Sequence, residues 1–512
     1  MYKINNNQST VIVDTQTIDV MLNGVPSKQL QISYFDHNND LQMLYYNVPA
    51  EDLFNWGYAS AGDVVVPNYR SWDGKPVKKV YGKNRPYINP IRTHEIMIEM
   101  FEKYPETAHI ADLAIPDLSY CDIEVDVDES GFPDAESANN PVNTICWVHK
   151  NVVTVLGRAN LTQREIASIQ RRIDEHCKTF KHSYQFIYRY FETERALIES
   201  FFFEYVKPCP ALTGWNFLGY DWLYMYNRAH KLQICIDSIS QTGSWKPYNL
   251  VNMFNSPERK KVMLPMHKLV FDYMEVYFKW DQRITPKESY KLDDVGDAAV
   301  GVKKVQHSEG FMEMWRDHKE DYVFYNAIDG ILVREIDLEL QTAPTFFALA
   351  SAIKTDMMTA FSPVNSLQHV QAEYELKNNV VFPKNMEDDK SENDEGYEGA
   401  FVFEPIPGVY KNVIALDFAS LYPTTMRQFN ISPDTFIKKD KDKSRKTTKP
   451  DQIKCCTGAT YMRNVEGFMP RILSDFYKKR RGYKEEMKAI DDEVAHLKQI
   501  LEQRLQNNNN QQ

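Results

Sequence analysis

The chain has 512 residues, of which 43% are hydrophobic, 13% aromatic and 26% charged, a composition typical of a globular protein with several hydrophobic cores. No run of about 18 apolar residues occurs, and Met1–Thr10 is polar. We therefore expect neither a membrane span nor a secretory signal peptide. The net charge of −11 argues against a nucleic-acid partner, but basic residues are concentrated at Lys438–Lys449 and Lys478–Lys484.

The seven cysteines are scattered along the chain, and none forms a Cys-x-x-Cys pair. Cys455 and Cys456 are adjacent, which suits neither a zinc site nor an ordinary disulfide. We interpret all seven as reduced thiols and expect a cytosolic protein.

The first half of the chain changes from a β-rich pattern to an α/β pattern. Short runs of alternating apolar and polar residues at 9–48 predict strands, and His94–Lys103 has helical spacing. From about Leu118, predicted strands alternate with predicted helices, which indicates an α/β domain with a mixed sheet. The strands are expected at 122–125 and 144–155, and the helices at 163–179, 195–206 and 221–230.

The second half begins with an acidic, polar stretch at 385–395, which is typical of an exposed loop. Val413–Leu416 is a short apolar run that ends at Asp417, and it predicts a buried strand with a carboxylate at its end. Ile472–Leu505 predicts a long charged helix. The Asn/Gln tail that follows cannot build a core.

Two carboxylates are spaced for one face of a predicted strand. Residues i and i+2 of a strand point to the same side, so Asp122 and Glu124 can converge on one site. Neighbouring carboxylates repel unless a cation neutralises them, and Mg²⁺ prefers such oxygen ligands. Taken alone, a D-x-E pair is as consistent with a solvated acidic strand edge.

Two further motifs carry carboxylates. Asp221 follows a glycine-containing turn, Thr213–Tyr220, and begins a predicted helix, where an acid is also a common N-terminal cap. Tyr325 and Asp329 are spaced i, i+4 on one face of a predicted helix. The alternative for that pair is a surface tyrosine beside a solvated acid.

In this order, the motifs resemble the three exonuclease motifs of family B DNA polymerases, including the flanking Trp215, Asn216 and Tyr220. The resemblance implies that Asn216 holds a frayed strand and that Tyr325 orients an attacking water. It also implies hydrolysis of the terminal phosphodiester with two Mg²⁺ ions, or Mn²⁺ in their place. The implied ligands of those ions are Asp122, Glu124, Asp221 and Asp329.

The sequence Asp-Phe-Ala-Ser-Leu-Tyr-Pro at 417–423 resembles motif A of the same family, with Thr424 in place of the usual serine. Its continuation at 427–435, Arg-Gln-Phe-Asn-Ile-Ser-Pro-Asp-Thr, resembles the T-even phage version in particular. A buried strand followed by a turn would explain the fold but not this run of identities. The resemblance implies that Asp417 binds the catalytic metals and that Tyr422 stacks under the incoming sugar. The backbone amides that would meet the triphosphate belong to Phe418, Ala419, Ser420 and Leu421.

Two flanking segments extend the resemblance. Tyr397 and Gly399 match a segment that contacts template DNA, and Arg480 and Lys484 fall where the family places triphosphate-binding cations on the first fingers helix. An i, i+4 pair lies on one helical face, as phosphate ligands should. A solvated basic face is the alternative for these cations.

Two family motifs are not found in the 512 residues: K-x3-N-S-x-Y-G of the second fingers helix, and the D-T-D strand with the second metal carboxylate. Asp417 alone cannot hold two cations in the family's geometry. We therefore expect the N-terminal subunit of a split polymerase whose second half is a separate chain. A truncated gene stays open as an alternative.

The implied fold is α/β and α+β, in several domains. These are a β-rich N-terminal domain at 1–110 with a return segment at about 345–385, a ribonuclease H-like 3′–5′ exonuclease domain at 111–344, the first part of a palm at 386–470 and a first fingers helix at 471–512.

The implied activity is that of a DNA-directed DNA polymerase with a proofreading exonuclease, working in the cytoplasm of a host cell if a phage encodes it. The expected partners are primer-template DNA, dNTPs, a C-terminal polymerase chain, a sliding clamp and replisome proteins. Two other hypotheses stay open, namely a stand-alone 3′–5′ exonuclease and a non-catalytic DNA- or RNA-binding module. The retained nucleotide pocket argues against a stand-alone exonuclease. The metal-ligand set argues against a non-catalytic binding module.

Overall fold

A computed structural model describes residues 10–82, 88–112, 114–128, 131–180, 182–250, 260–281, 289–302, 310–381, 383, 403–418, 420–440 and 449–509. Within these ranges the chain has the predicted mixed α/β architecture, with a β-rich N-terminal part. No helix in the described ranges combines the length and apolar character needed to cross a membrane.

The strands are numbered in chain order, and most of them lie before residue 271. They are β1 (Val11–Leu22), β2 (Val25–Phe35), β3 (Leu41–Asn47), β4 (Phe54–Tyr58), β5 (Arg70–Ser71), β6 (Val77–Tyr81), β7 (Leu118–Val125), β8 (Val142–His149), β9 (Val152–Gly157), β10 (Gln185–Tyr190), β11 (Ala211–Thr213), β12 (Trp245–Asn249), β13 (Lys261–Pro265), β14 (Leu269–Val270), β15 (Val380–Val381), β16 (Phe436–Lys439), β17 (Gln452–Lys454) and β18 (Ala459–Met462).

The helices are numbered in the same way, and a π-helical turn, Phe201–Val206, continues the third of them. They are α1 (Pro90–Lys103), α2 (Gln163–His176), α3 (Glu194–Ser200), α4 (Asp221–Lys231), α5 (Tyr273–Asp281), α6 (Leu292–Val300), α7 (Phe311–Asp317), α8 (Lys319–Leu340), α9 (Thr342–Ala352), α10 (Met357–Ala360), α11 (Pro363–Asn378), α12 (Leu421–Gln428) and α13 (Phe468–Asn509).

The chain divides into two compact units. The larger unit contains residues 4–53 and 83–373, and the smaller unit contains residues 1–3, 54–82 and 374–512. The larger unit begins with the antiparallel sheet β1-β2-β3. Asn23 and Gly24 join β1 to β2 with φ angles of 51° and 81°, as a two-residue hairpin turn of the favoured hand requires.

A six-stranded sheet forms the centre of the larger unit, in the order β10-β9-β8-β7-β11-β14. The strands β7, β8 and β9 are antiparallel, whereas β10 runs parallel to β9, and β11 runs parallel to both β7 and β14. Two hydrophobic cores cover the opposite faces of this sheet. α8 packs across β7, β8 and β9 and is buried from Tyr322 to Asp337.

The smaller unit contains the sheet β16-β18-β17 and the two helices α12 and α13. The helices pack against each other, with the Arg427 guanidinium 5.4 Å from the centre of the Tyr477 ring. The predicted helix at 472–505 is confirmed, and α13 continues to Asn509. The predicted loop at 385–395 lies outside the described residues.

The prediction of a buried strand at Val413–Leu416 is wrong. The segment is not a strand, and Val413, Ile414 and Leu416 are 72%, 83% and 91% exposed. A strand needs a neighbour for its backbone hydrogen bonds and a layer that covers its apolar side chains. Among the described residues no strand pairs with this segment. The apolar pattern is therefore present, but the neighbouring strand that would make it a buried strand is not found among those residues.

Candidate metal centre

β7 carries two of the predicted ligands. Asp122 and Glu124 are two residues apart, so both project from the face of the sheet that α8 covers, while Ile123 packs into the opposite core. On β8, Cys146 lies opposite Asp122 and Thr144 lies opposite Glu124. Glu124 is buried, with only 6% of its surface exposed, and Asp122 is half-buried.

α8 supplies a third carboxylate, from Asp329, which is buried with 2% of its surface exposed. One carboxylate oxygen from each of Asp122, Glu124 and Asp329 lies within 4.8 Å of the other two. We call these three residues the carboxylate cluster. The structure thus brings together residues that are about 200 positions apart in the sequence.

The contact between α8 and the sheet depends on a glycine beside the cluster. A Cβ atom at Gly330 would lie 2.6 Å from Cys146 Sγ and 3.1 Å from a methyl group of Val148. Distances this short are steric clashes, so only glycine allows the helix to approach β8 this closely. Gly330 therefore sets how near Asp329 comes to the two carboxylates on β7.

Asp221 lies beside the cluster rather than within it. It is the first residue of α4, as predicted, but its Oδ1 accepts a hydrogen bond of 2.9 Å from the backbone amide of Ile123 on β7. The side chain therefore faces the strand, which a purely helix-capping role would not require. The preceding turn fits closely against β7, because a Cβ at Gly214 would lie 2.2 Å from the carbonyl oxygen of Cys121.

Burial and charge both act on Asp221. Removal from water raises its pKa well above the usual range, and the nearby charge of Asp122 raises it further, against the hydrogen bond from Ile123. Carboxylates held this close repel each other, and a cation among them would relieve the repulsion. The donors of the cluster are all oxygens, which divalent cations such as Mg²⁺ and Mn²⁺ prefer. The residues present therefore fit a divalent metal ion.

Sequence reasoning missed Asp272, which holds the turn before Asp221. Its carboxylate accepts hydrogen bonds of 2.9 Å from the backbone amides of Leu218 and Met274, and it is almost fully buried. Burial raises the pKa of Asp272 to about 7, and the charge of Glu275 adds to that effect. No local pattern marks Asp272, because its role depends on contact with a turn more than 50 residues away.

We expect Asp272 to make stability depend on pH. Because its pKa is raised from 3.8 to about 7 in the folded chain, the folded state binds the proton more tightly than the unfolded state. Its contribution is fully present below about pH 4 and is lost as the pH rises through about 7, by a few kcal/mol. Asp272→Asn should remove this decrease of stability with rising pH. Melting temperatures of wild type and variant at pH 6 and pH 8.5 would measure the change.

Asp272→Asn also loses a hydrogen-bond acceptor, so the variant should be less stable than the wild type at pH 6. The difference between the two should shrink at pH 8.5. Asp117→Asn provides a control for the loss of a carboxylate elsewhere in the larger unit, since Asp117 is only half-buried and pairs with Lys150. A constant difference between wild type and Asp272→Asn at both pH values would contradict the prediction.

Two neighbours of Asp329 on α8 also approach the cluster. Tyr325, one turn away, is 9% exposed, and its ring packs edge-to-face against Phe311 with centroids 5.4 Å apart. Asn326 was not predicted. Its side-chain amide donates to Asp122 Oδ2 at 2.7 Å, so it contacts a predicted metal ligand directly.

An exposed aromatic side chain packs against Tyr220, the residue before Asp221. Phe132 is 61% exposed, and its ring lies 5.3 Å from the ring of Tyr220, whose hydroxyl donates to the Pro133 carbonyl. The charges of Asp221 and Glu124 contribute to raising the pKa of Tyr220, although burial is the main cause. Asn216 is exposed on the same turn as Tyr220, with a φ angle of 54°.

The segment that resembles motif A is largely exposed. Asp417 is exposed, Phe418 and Tyr422 are 74% and 73% exposed, and Ser420 precedes α12 with a φ of 52°. Leu421, the first residue of α12, is half exposed. The other predicted residues of this region, Ala419, Tyr397 and Gly399, lie outside the described residues.

Arg480 and Lys484 lie on α13, and both are exposed. They are separated by four residues and therefore occupy one face of the helix, as predicted. Their binding to a triphosphate stays a prediction.

Comparison with known proteins gives a family both for the region that contains the carboxylate cluster and for the region that resembles motif A. Residues 78–295 match the profile of "DNA polymerase family B, exonuclease domain", and residues 372–507 match "DNA polymerase family B". The DNA-directed DNA polymerase of Escherichia phage RB69 is 26% identical over 401 residues, which are 74% of this chain and 43% of the phage protein.

Two other relatives show the same relationship. The DNA-directed DNA polymerase of Enterobacteria phage T4 is 25% identical over 326 residues, 62% of this chain and 35% of that protein. A DNA polymerase of Archaeoglobus fulgidus is 27% identical over 292 residues, 56% of this chain and 33% of that protein.

The fold and the matches define an exonuclease domain joined to part of a polymerase domain. The chain belongs to DNA polymerase family B. It spans less than half the length of the curated relatives that it matches.

Proposed function

We propose that this chain removes nucleotides from the 3′ end of DNA by metal-dependent hydrolysis of the terminal phosphodiester bond. The observation that carries the proposal is the convergence of Asp122, Glu124 and Asp329 beside Asp221. Buried like charges destabilise a fold, and their concentration at one point is typical of a functional site. Mg²⁺ is the cation that we propose for this site, with Mn²⁺ as a substitute.

Different residues of the chain would have different roles in hydrolysis. Asp122, Glu124, Asp221 and Asp329 would hold the divalent cations, which when bound neutralise charge and lower the pKa of a water molecule. Tyr325, beside Asp329 on the same face of α8, would orient that water for in-line attack on phosphorus. The bond from phosphorus to the 3′ oxygen breaks as the water oxygen bonds to phosphorus, and the 3′ oxygen leaves with a proton.

We propose that Asn216 and Phe132 hold the strand that is cut. Both are exposed, the ring of Phe132 packs against that of Tyr220, and an exposed aromatic ring offers a stacking surface to any base. Phe132→Ala should therefore raise the KM for single-stranded DNA about 10- to 100-fold, since stacking contributes roughly 1–3 kcal/mol per base. Steady-state kinetics with a 5′-labelled oligonucleotide would measure it.

Phe132→Tyr should restore most of the affinity, because it keeps the aromatic ring. Tyr190→Ala is a matched control, since Tyr190 is 48% exposed on the edge strand β10. An unchanged KM in Phe132→Ala would exclude stacking on this ring.

The test of the nuclease uses the purified chain with Mg²⁺ and a 5′-labelled single strand. A ladder that shortens one nucleotide at a time from the 3′ end, and that stops on addition of a chelator, is the expected result. Full-length DNA after long incubation, or cleavage at internal positions, would contradict an exonuclease.

A second function, DNA synthesis, is favoured by the run from Phe403 to Tyr422. Apolar side chains that are more than 60% exposed recur along it, which is far from the usual pattern of a monomer's surface. They are Phe403, Ile406, Val409, Tyr410, Val413, Ile414, Leu416, Phe418 and Tyr422. We propose that a polypeptide carrying the remaining polymerase motifs pairs with this run and supplies the second carboxylate beside Asp417.

In that assembly, Asp417 would share the metal ions, Tyr422 would contact the sugar, and Arg480 and Lys484 would bind the triphosphate of a dNTP. Backbone amides of Phe418 to Leu421 would contribute, and the Tyr397–Gly399 segment would contact the template. A sliding clamp and other replisome proteins are further proposed partners. The host cytoplasm is the proposed location, because all seven cysteines are free thiols.

Primer extension tests this second function. The chain is incubated with primer-template DNA, Mg²⁺ and dNTPs, alone and with a polypeptide that carries the missing motifs. Extension only in the mixture is expected, and Asp417→Ala should prevent it while leaving shortening intact. Extension by the chain alone, or by a mixture with Asp417→Ala, would contradict the proposed division of the polymerase site.

A further inference from the structure

Asn326 is buried at the carboxylate cluster, with none of its surface exposed. It lies on α8 three residues before Asp329, so the two side chains share the face that packs on the sheet. Its Nδ2 atom donates to Asp122 Oδ2 at 2.7 Å and lies 3.4 Å from the backbone carbonyl oxygen of Asp122. One amide group thus contacts both the side chain and the backbone of a single residue.

These contacts fix the carboxylate of Asp122. A side chain whose Oδ2 is bound next to its own carbonyl cannot rotate without losing the hydrogen bond to Asn326. The direction of that bond is also determined, because an ionised carboxylate only accepts and the amide nitrogen must therefore donate. Asp122 Oδ1 is consequently held in one orientation relative to Glu124 and Asp329.

The other polar atom of Asn326 has no protein partner. Its Oδ1 is buried and makes no hydrogen bond to any described residue. An amide oxygen that is removed from water usually finds a donor in a protein. In an amide, Oδ1 is only about 2.3 Å from Nδ2, so it lies close to the cluster that Nδ2 contacts.

We propose that Asn326 is a positioning residue of the metal centre: it orients Asp122 through Nδ2 and accepts through Oδ1 a hydrogen bond from a water molecule on the bound cation. The inference rests on the proposed nuclease function, since it assigns Asn326 to the same metal centre. A water that is polarised by a divalent cation is a strong donor, which Oδ1 otherwise lacks. Partners of this kind orient the groups that bind the metal directly.

The experiment measures binding of Mn²⁺ without DNA, through the loss of the electron paramagnetic resonance signal of free Mn²⁺. Asn326→Ala should weaken binding at the cluster about 10- to 100-fold, the range usual for loss of a partner that orients a metal ligand. Asn326→Leu keeps nearly the volume of asparagine but neither polar atom, and should weaken binding to the same extent. Sites elsewhere on the chain are subtracted by using the Asp122→Ala/Glu124→Ala double variant.

Kinetics separates positioning from strand binding. The Asn326 variants should need more Mn²⁺ for half-maximal activity and have a lower kcat, with the KM for DNA unchanged. Asn143→Ala is the matched control, because Asn143 is fully buried on β8 and its amide nitrogen contacts Tyr322 rather than the cluster. It should bind Mn²⁺ as the wild type does.

Two outcomes would overturn the inference in different ways. If the wild type binds Mn²⁺ at the cluster and a folded Asn326→Leu binds it equally well, Asn326 has no positioning role while the nuclease proposal stands. If the wild type shows no Mn²⁺ binding beyond that of the Asp122→Ala/Glu124→Ala variant, the metal centre itself is wrong and this inference fails with it. Circular dichroism identifies any variant that has not folded.

Discussion

Replacing Asp122 and Glu124 together with alanine should lower the rate of 3′–5′ degradation by roughly 10³-fold or more. Metal ions contribute several kcal/mol to transition-state stabilisation in such reactions, and each 1.4 kcal/mol corresponds to a factor of about ten. The variant keeps only Asp329 of the carboxylate cluster, with Asp221 beside it. Single-turnover degradation of a 5′-labelled strand at saturating enzyme measures the chemical step without interference from binding.

The same variant should melt at a higher temperature than the wild type when no metal is present. Burial is the main cause of the raised pKa of Asp221, and removing Asp122 takes away the charge that raises this pKa further. Removing Glu124 as well leaves fewer like charges in the cluster. Asp117→Ala is a suitable control, because Asp117 is a half-buried acid just before β7 that pairs with Lys150. If the double variant kept nuclease activity within a few-fold of the wild type, the carboxylate cluster would not be the active site.

Gly330→Ala should lower nuclease activity by about 100-fold without touching a carboxylate. The added methyl group would lie 2.6 Å from Cys146 Sγ, so α8 must move away from β8 and carry Asp329 with it. A displacement of about 1 Å at a catalytic group can cost roughly 10²-fold in rate. The clash should also destabilise the fold by about 1–3 kcal/mol, as overpacking of a core usually does.

A second substitution should partly reverse this loss. Cys146→Ala removes the sulfur at 2.6 Å and leaves the Cys146 Cβ at 3.6 Å and a methyl group of Val148 at 3.1 Å, which is tight but needs only a small shift, so Gly330→Ala/Cys146→Ala should recover part of the activity. Single-turnover rates and melting temperatures for the four combinations form a double-mutant cycle. Strictly additive effects would show that the helix–strand contact does not position Asp329.

The sequence predicted which residues share a face better than it predicted what supports them. Strand periodicity places Asp122 and Glu124 on one face, and helix periodicity places Tyr325 and Asp329 on another, because both rules act over a few residues. Their roles in metal binding and catalysis rest on the family resemblance and stay a prediction. Asp272 and Asn326 could not be predicted in this way, since their partners are at Leu218 and Asp122, far away in the chain. Gly330 is likewise explained only by β8, which packs against it.

The wrong prediction at Val413–Leu416 has a related cause. Apolar residues in a row indicate burial, but burial needs a second surface, which a pattern in one segment does not supply. The prediction of long helices was more reliable, because a helix satisfies its own backbone hydrogen bonds. α13 illustrates this, since it extends to Asn509 with most of its middle exposed.

The exposed apolar run at 403–422 has a consequence for how a cell makes this protein. Exposed apolar side chains that follow one another along a chain promote aggregation and attract chaperones and proteases. If the proposed partner polypeptide covers this run, chains that are synthesised in excess of that partner should be degraded or become insoluble. The amount of active protein would then be set by the scarcer component, and co-expression should raise the soluble yield of this chain more than a stronger promoter does.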